Sequence, residues 1–292
     1  MTLPPSPEAQ QHQIDKERKK IVKHYPGLWA TIIQEWNSSR ADDRAWLIYT
    51  ANYLLRTGKT RWALDPLTLH WRVPEAQPVN MAHDLEGLSF ILLTHKHADH
   101  LDLDLMRTLS KLPILWVIPE HLLGMVGENG VSCKKIIVPK PLETLEIEGV
   151  RIIPFDGLHW HMASNGLGER RGVPATGYVV EFSGKRWLFP GDVRSYDASK
   201  LPSIGPVDGF FAHLWLGHGC ALIERPPLLE AFCLFCLAQQ PKRIVLTHLH
   251  EFGRKADDYW HEGHVQQVRD WFRGEALNRK VEYATLGNGV KL

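Results

Sequence analysis

The sequence predicts a layered sandwich of strands and helices, α/β or α+β in class. Two observations carry this. Short apolar runs recur along the chain, each bounded by Gly, Pro, Asn or charge, as strands are. Helical patterns stand between some of them, and such a mixture packs as sheets covered by helices. At 292 residues the chain is sized for one large domain with at most an appendage.

The elements follow in order. The first dozen residues hold three prolines and read as a loose tail. Ile14 to Asn37 reads as two helical segments divided at Tyr25-Pro26-Gly27. Proline disfavours helix in the residue before it, and glycine interrupts the pattern. The polar stretch NSSRADDR then separates residues 1–44, a tail with helices, from a main unit over residues 45–292. Trp46 to Arg56 alternates and is rich in aromatic and β-branched residues, so it reads as a strand, as does Arg61 to Leu64 before Asp65-Pro66. Further strands are expected at Phe90–Leu93, Ile114–Ile118, Lys135–Val138, Val150–Phe155, Tyr178–Phe182, Arg186–Phe189 and Arg243–Thr247. Helices are expected at Asp104–Leu112, His121–Val126, Pro227–Gln239 and Tyr259–Phe272.

Composition removes several function classes. Lys plus Arg is 34 against 33 for Asp plus Glu, so no general basic surface for nucleic acid or membrane is indicated. Cys133, Cys220, Cys233 and Cys236 are too few and too irregular for a disulfide scaffold. Cys233 and Cys236, three apart in an apolar helical stretch, read as core thiols. The N-terminus shows no signal-peptide pattern, and no apolar run is long enough to span a bilayer. The expectation is a cytoplasmic protein without a transmembrane segment, acting on a small molecule and compatible with a homo-oligomer. GxGxxG and Walker phosphate loops are absent, so nucleotide-cofactor chemistry has no support.

Histidine sets the direction of search. Of 16 His, 13 lie between His83 and His264, and histidine is the commonest metal ligand. The run Thr94-His95-Lys96-His97-Ala98-Asp99-His100 follows the apolar strand SFILL. In extended chain alternate residues face the same way, so His95 and His97 can meet one cation. As the chain turns, Asp99 and His100 can reach a second. Imidazole with carboxylate suits zinc, and also manganese or iron. Further ligands must come from other strand ends. Leu158-His159-Trp160-His161, Pro190-Gly191-Asp192 and Thr247-His248-Leu249-His250 each follow an apolar strand. Each taken singly has a bland alternative, because a lone His is more often surface or core and Gly-Asp is often a turn.

These residues together resemble the metallo-β-lactamase-fold hydrolase superfamily, over roughly Ala45 to the C-terminus. The entry segment YTANYLLRTGKTRWALDP also resembles the start of that fold. The resemblance implies an α+β fold, an αββα sandwich of two packed mixed sheets flanked by helices, with the metal site at one sheet edge. A finer likeness is to the subgroup of ascorbate-6-phosphate lactonase and N-acyl-phosphatidylethanolamine phospholipase D. It rests on Asp99-His100-Leu101-Asp102, on His159-Trp160 and on ATGYVVEFSGKRWLFPGD. Carried over by position, His95, His97 and His159 hold one metal, Asp99, His100 and His248 the other, and Asp192 bridges them. His159 is preferred to His161 for its place beside Trp160, and His248 to His250 for its place at the strand end. His161, His250 and His218 are left as candidates near the ligands or the substrate. For His213 and His218 a structural and a substrate role stand side by side. Arg170 and Arg171 read as an exposed charged loop rather than an anion grip.

The expected function is a dinuclear hydrolase with two divalent ions, zinc first and manganese or iron as alternatives. A metal-bound hydroxide would cleave an ester, lactone or phosphodiester, with Asp99 also shuttling a proton. The alternatives are a nuclease or cyclic-nucleotide phosphodiesterase, an iron oxygenase, and a metal-binding protein without turnover.

Overall fold

The computed structural model describes residues 6–38, 42–162, 170–217, 228–275 and 280–292. The chain opens with α1 (Pro7–Asn37), then β1 (Arg44–Leu47), β2 (Tyr53–Thr57), β3 (Thr60–Leu64), α2 (Leu69–Arg72), α3 (Met81–Asp84) and β4 (Phe90–Leu92). It continues through α4 (Leu103–Leu109), β5 (Leu115–Val117), α5 (Leu123–Gly127), β6 (Ile136–Ile137), β7 (Leu145–Ile147), β8 (Val150–Asp156), β9 (Trp160–Met162) and β10 (Arg170–Gly172). The last part holds β11 (Thr176–Phe182), β12 (Lys185–Phe189), β13 (Val207–His213), α6 (Leu228–Ala238), β14 (Pro241–Thr247), α7 (Glu262–Gly274), β15 (Lys280–Tyr283) and β16 (Gly289–Lys291).

Two seven-stranded mixed sheets result, as the αββα expectation requires. The first runs β16-β1-β2-β3-β4-β5-β6, and the second β15-β14-β13-β12-β11-β8-β7. Side chains alternate across each strand, and the burial follows. On β2 to β5, Tyr53, Leu55, Trp62, Leu64, Phe90, Leu92 and Val117 face the second sheet. There they meet Tyr178, Val180, Trp187, Phe189, Phe211 and Val245 in one core. Leu54, Ala63, Ile91 and Trp116 face the other way, into a core shared with α1 and α4. The outer face of the second sheet buries Val179, Leu188, Phe210, Ile244 and Leu246 against α6 and α7.

Three sequence expectations need correction. First, α1 is one helix through Pro26, and it starts at Pro7, within the stretch read as a tail. Ser6 caps it by accepting from the Ala9 amide, and Pro7 sits where its missing N–H costs nothing. An interior proline costs a helix about 3 kcal/mol. Tertiary burial outweighs that here, because Tyr25, Trp29, Ile32 and Trp36 lie on one buried face. Second, Trp46–Arg56 is a hairpin, not one strand: β1 and β2 pair antiparallel, with Trp46 opposite Leu54. Third, β13 was not expected, and it lies between β12 and β14 in parallel register with both.

This topology sets the site. β3 and β4 run parallel, as do β12, β13 and β14. β8 is antiparallel to β11, and β11 to β12, so β8 shares the direction of β12. The carboxyl ends of these strands therefore gather at one edge of each sheet. They deliver Asp65, the 94–100 run, His159, Asp192, His213 and His248.

Candidate metal centre

The centre is built from turns that leave strands. After β3 the chain turns at Asp65, whose φ of 42° lies in the left-handed region. His248 and His250 do the same after β14, at 67° and 55°. Such conformations cost on the order of 1–3 kcal/mol and persist where surroundings over-determine them. Here the surroundings are polar and buried. The His248 amide donates to Thr50 O at 3.0 Å. Asn52 donates to the carbonyls of Asp65 at 2.7 Å and Asp99 at 2.9 Å, tying two of the turns together. Gly191, at φ 69°, turns the chain after β12 and lies against Thr94.

Seven side chains converge. His95, His97, His159 and Asp192 bring ligand atoms within 4.8 Å of one another, and so do Asp99, His100, Asp192 and His248. Asp192 belongs to both groups. Its Oδ1 lies 3.0 Å from His100 Nε2, and its Oδ2 lies 3.8 Å from His95 Nε2 and 3.6 Å from His248 Nε2. His248 Nε2 is 3.3 Å from Asp99 Oδ2. His159 stands in the first group, 2.9 Å from His97. The side chain of His161 and the whole of His218 lie outside the described residues. His250 joins neither group: it faces Tyr259 at 3.1 Å and Glu262 at 3.1 Å.

The donor set fits divalent cations. His95 Nε2, His100 Nε2, His248 Nε2 and Asp192 Oδ1 are buried without a hydrogen-bond partner. Orphaned buried polar atoms are costly, and these four, shared between the two groups around Asp192, would be satisfied by cations held there. The second ring nitrogens of His95 and His100 are held. His95 Nδ1 lies 2.9 Å from Thr94 Oγ1, and Thr94 in turn donates to Asp65. His100 Nδ1 donates to Asp65 Oδ2 at 2.8 Å. Such outer partners fix the tautomer and leave Nε2 free to ligate. A further overlapping group, Asp65 with His95 and His100, is explained by this orienting contact.

Burial and charge divide the histidines. Burial holds His95 well below the usual imidazole range, lowers His97, and brings His159 down to about 3. Burial also opposes a charge on His100, but Asp192 and Asp65 beside it raise it well above that range. His248 is raised too, by Asp192 and Asp99 against its burial. Burial would raise Asp192, yet His213, His100 and His248 hold it well below the carboxylate range.

Sequence reasoning passed over Asp65 and Arg254 at this site and left the role of His213 open. Asp65 was seen only as a strand end. Arg254 donates to Glu251 and Asp258 and reaches Asp99 Oδ2 at 3.4 Å. His213, from the unexpected β13, accepts from the Val193 amide at 2.9 Å, beside Asp192. His213 was visible in the sequence within the apolar run FFAHLWL, whereas the other two had no motif around them.

Residues 60–249 match the model of the beta-lactamase superfamily domain. No curated protein matches the chain. Solved structures share the fold at low identity. CmlA, a diiron beta-hydroxylase from Streptomyces venezuelae, aligns with a TM-score of 0.60 and 17% identity over 88% of this chain. The chain spans 55% of that hydroxylase. Igni18, a metallo hydrolase from the archaeon Ignicoccus hospitalis, gives 0.58 and 15%, covering 86% of this chain and 98% of its own. The isothiocyanate hydrolase from Delia radicum gut bacteria gives 0.57 and 16%, covering 85% and 98%.

Proposed function

The chain belongs to the beta-lactamase superfamily, and from that membership and its donor groups we propose a dinuclear metal-dependent hydrolase. Its substrate is a small molecule with an ester, lactone or phosphodiester bond. The observation that supports this reading most is the pair of four-residue groups sharing Asp192. His95, His97 and His159 would hold one cation, and Asp99, His100 and His248 the other, with Asp192 between them. Zinc is the first choice for imidazole and carboxylate donors, with manganese and iron next. The hydrolase unit is residues 45–292, with α1 covering the first sheet. The finer kinship is with the lactonase and phospholipase subgroup, on the Asp99-His100-Leu101-Asp102 and His159-Trp160 sequences.

Two divalent cations in such a site acidify water and stabilise negative charge on a substrate oxygen. The chain's own residues do the rest. Asp99, held by Asn52 through its carbonyl and by Arg254 through Oδ2, would take and pass a proton. Asp65 and Thr94 keep His100 and His95 turned inward. No Ser or Cys nucleophile is required. A hydrolysis panel of lactones, carboxyl esters and phosphodiesters, run on zinc-loaded and chelator-stripped protein, tests the reading. Metal-dependent cleavage in one class is expected. Two bound metals with no cleavage in any class would contradict it.

A further inference from the structure

The three guanidinium nitrogens of Arg254 meet three different carboxylates. Nε donates to Glu251, Nη1 donates to Asp258, and Nη2 reaches Asp99 Oδ2 at 3.4 Å. The two outer carboxylates are themselves held. Glu251 is buried, and Arg72 at the end of α2 lies 3.4 Å from its Oε1. Gly253 leaves room for that approach, because a Cβ there would lie 2.6 Å from Arg72 Cγ. Asp258 ends the 3₁₀ turn Ala256–Asp258, and the Ala256 amide donates to Gln11 Oε1 of α1 at 3.0 Å. Glu251, Arg254 and Asp258 lie beyond residues 60–249, the stretch that matches the superfamily domain.

Stability alone does not account for this clamp. The cost of taking a buried ion pair out of water about cancels its attraction, and apolar residues of the same size are often as stable. Apolar residues could not aim a donor, however. A guanidinium is a rigid planar fork, so fixing Nε on Glu251 and Nη1 on Asp258 fixes the direction of Nη2. That direction is toward Asp99. Asn52 holds only the Asp99 carbonyl, which sets the main chain and leaves the carboxylate to turn. Carboxylates that ligate a metal are themselves oriented by outer hydrogen bonds.

We infer that Arg254 is a positioning residue that sets the angle at which the Asp99 carboxylate meets the cation held with His100 and His248. Glu251 and Asp258 keep its fork in place. This rests on the proposed metal centre.

The test is zinc affinity of the full chain by chelator competition, with the thermal midpoint measured on the same proteins. Arg254→Met should weaken one of the two zinc ions by about 10–100-fold, the range for an outer partner, and leave the other and the midpoint unchanged. Arg254→Lys, which keeps the charge and loses the fork, should restore the affinity only in part. In an Asp99→Ala background Arg254→Met should add nothing, because the carboxylate it acts through is gone. Wild-type affinity for both ions in Arg254→Met overturns the proposal. So does full rescue by lysine, which would make the role one of charge alone, or an undiminished effect in the Asp99→Ala background. Weakening of both ions together with a fallen midpoint also overturns it, since the clamp would then only hold the fold. A wild-type protein that binds two zinc ions and cleaves nothing would sink the hydrolase reading and leave this one standing.

Discussion

His100 lies between two carboxylates: its Nδ1 is 2.8 Å from Asp65 Oδ2, and its Nε2 is 3.0 Å from Asp192 Oδ1. The first contact aims the ring, and the second marks where it points. Asp65 comes from the first sheet and Asp192 from the second, so this one ring joins the sheets at the edge where the donors gather.

Asp65→Ala is expected to lower affinity for the metal at Asp99, His100 and His248 by about 10–100-fold, the range typical of an orienting carboxylate. The fold should survive, because Tyr178, Trp62 and Phe90 in the sheet interface are untouched. Competition against a zinc chelator reads the affinity, and far-UV circular dichroism reads the fold. An unchanged affinity would show that His100 keeps its orientation without Asp65.

Asp192→Asn should remove metal and turnover together. A neutral amide offsets repulsion between two cations poorly, so turnover should drop by about 100-fold or more. Near-native circular dichroism with less than one metal per chain is the expected pairing. Full turnover with two metals retained would make Asp192 a turn residue only.

Acidification should strip the two groups in order. Only neutral imidazole ligates. His95, His97 and His159 are held below the usual range, so they stay neutral as pH falls below about 6.5, the ordinary value. For His159 that extends to about 3. Stability from these depressed values is full above about 6.5 and is lost progressively as pH falls toward the folded values. His100 and His248 are raised and take up protons at higher pH. The His100–His248 group should therefore release its metal first. In equilibrium dialysis from pH 8 downward, His159→Ala should lose its remaining metal at higher pH than His248→Ala. The reverse order would refute the assignment.

Tyr25→Phe should cost about 1–3 kcal/mol, the range for leaving buried polar groups unpaired. Its hydroxyl donates to Ile48 O at 2.8 Å and accepts from the Leu69 amide at 3.3 Å. The urea midpoint measures this, and an unmoved midpoint would show that the Tyr25 hydroxyl adds nothing to the docking of α1.

Much of the site was legible because its donors sit in local patterns at strand ends, as His95, His97, Asp99 and His100 do within six residues. What tertiary contacts decide was not. Pro26 reads as a helix break until Trp29 NH is seen donating to Asp84 at 2.7 Å and Trp36 NH to Leu55 at 3.0 Å. β13 was hidden because Gly209 weakens its strand pattern. In the fold the missing Cβ makes room for the Trp187 ring, whose atoms would lie 2.0 Å from it. Asp65 acts on His100 across a long sequence separation, and no short motif announces it.

The measurement that bears most directly on the central claim is turnover during zinc titration of metal-free protein, using the substrate class found by the panel. The account predicts no activity without zinc and a rise that levels off at two equivalents per chain. Undiminished turnover in exhaustively metal-free protein would contradict it.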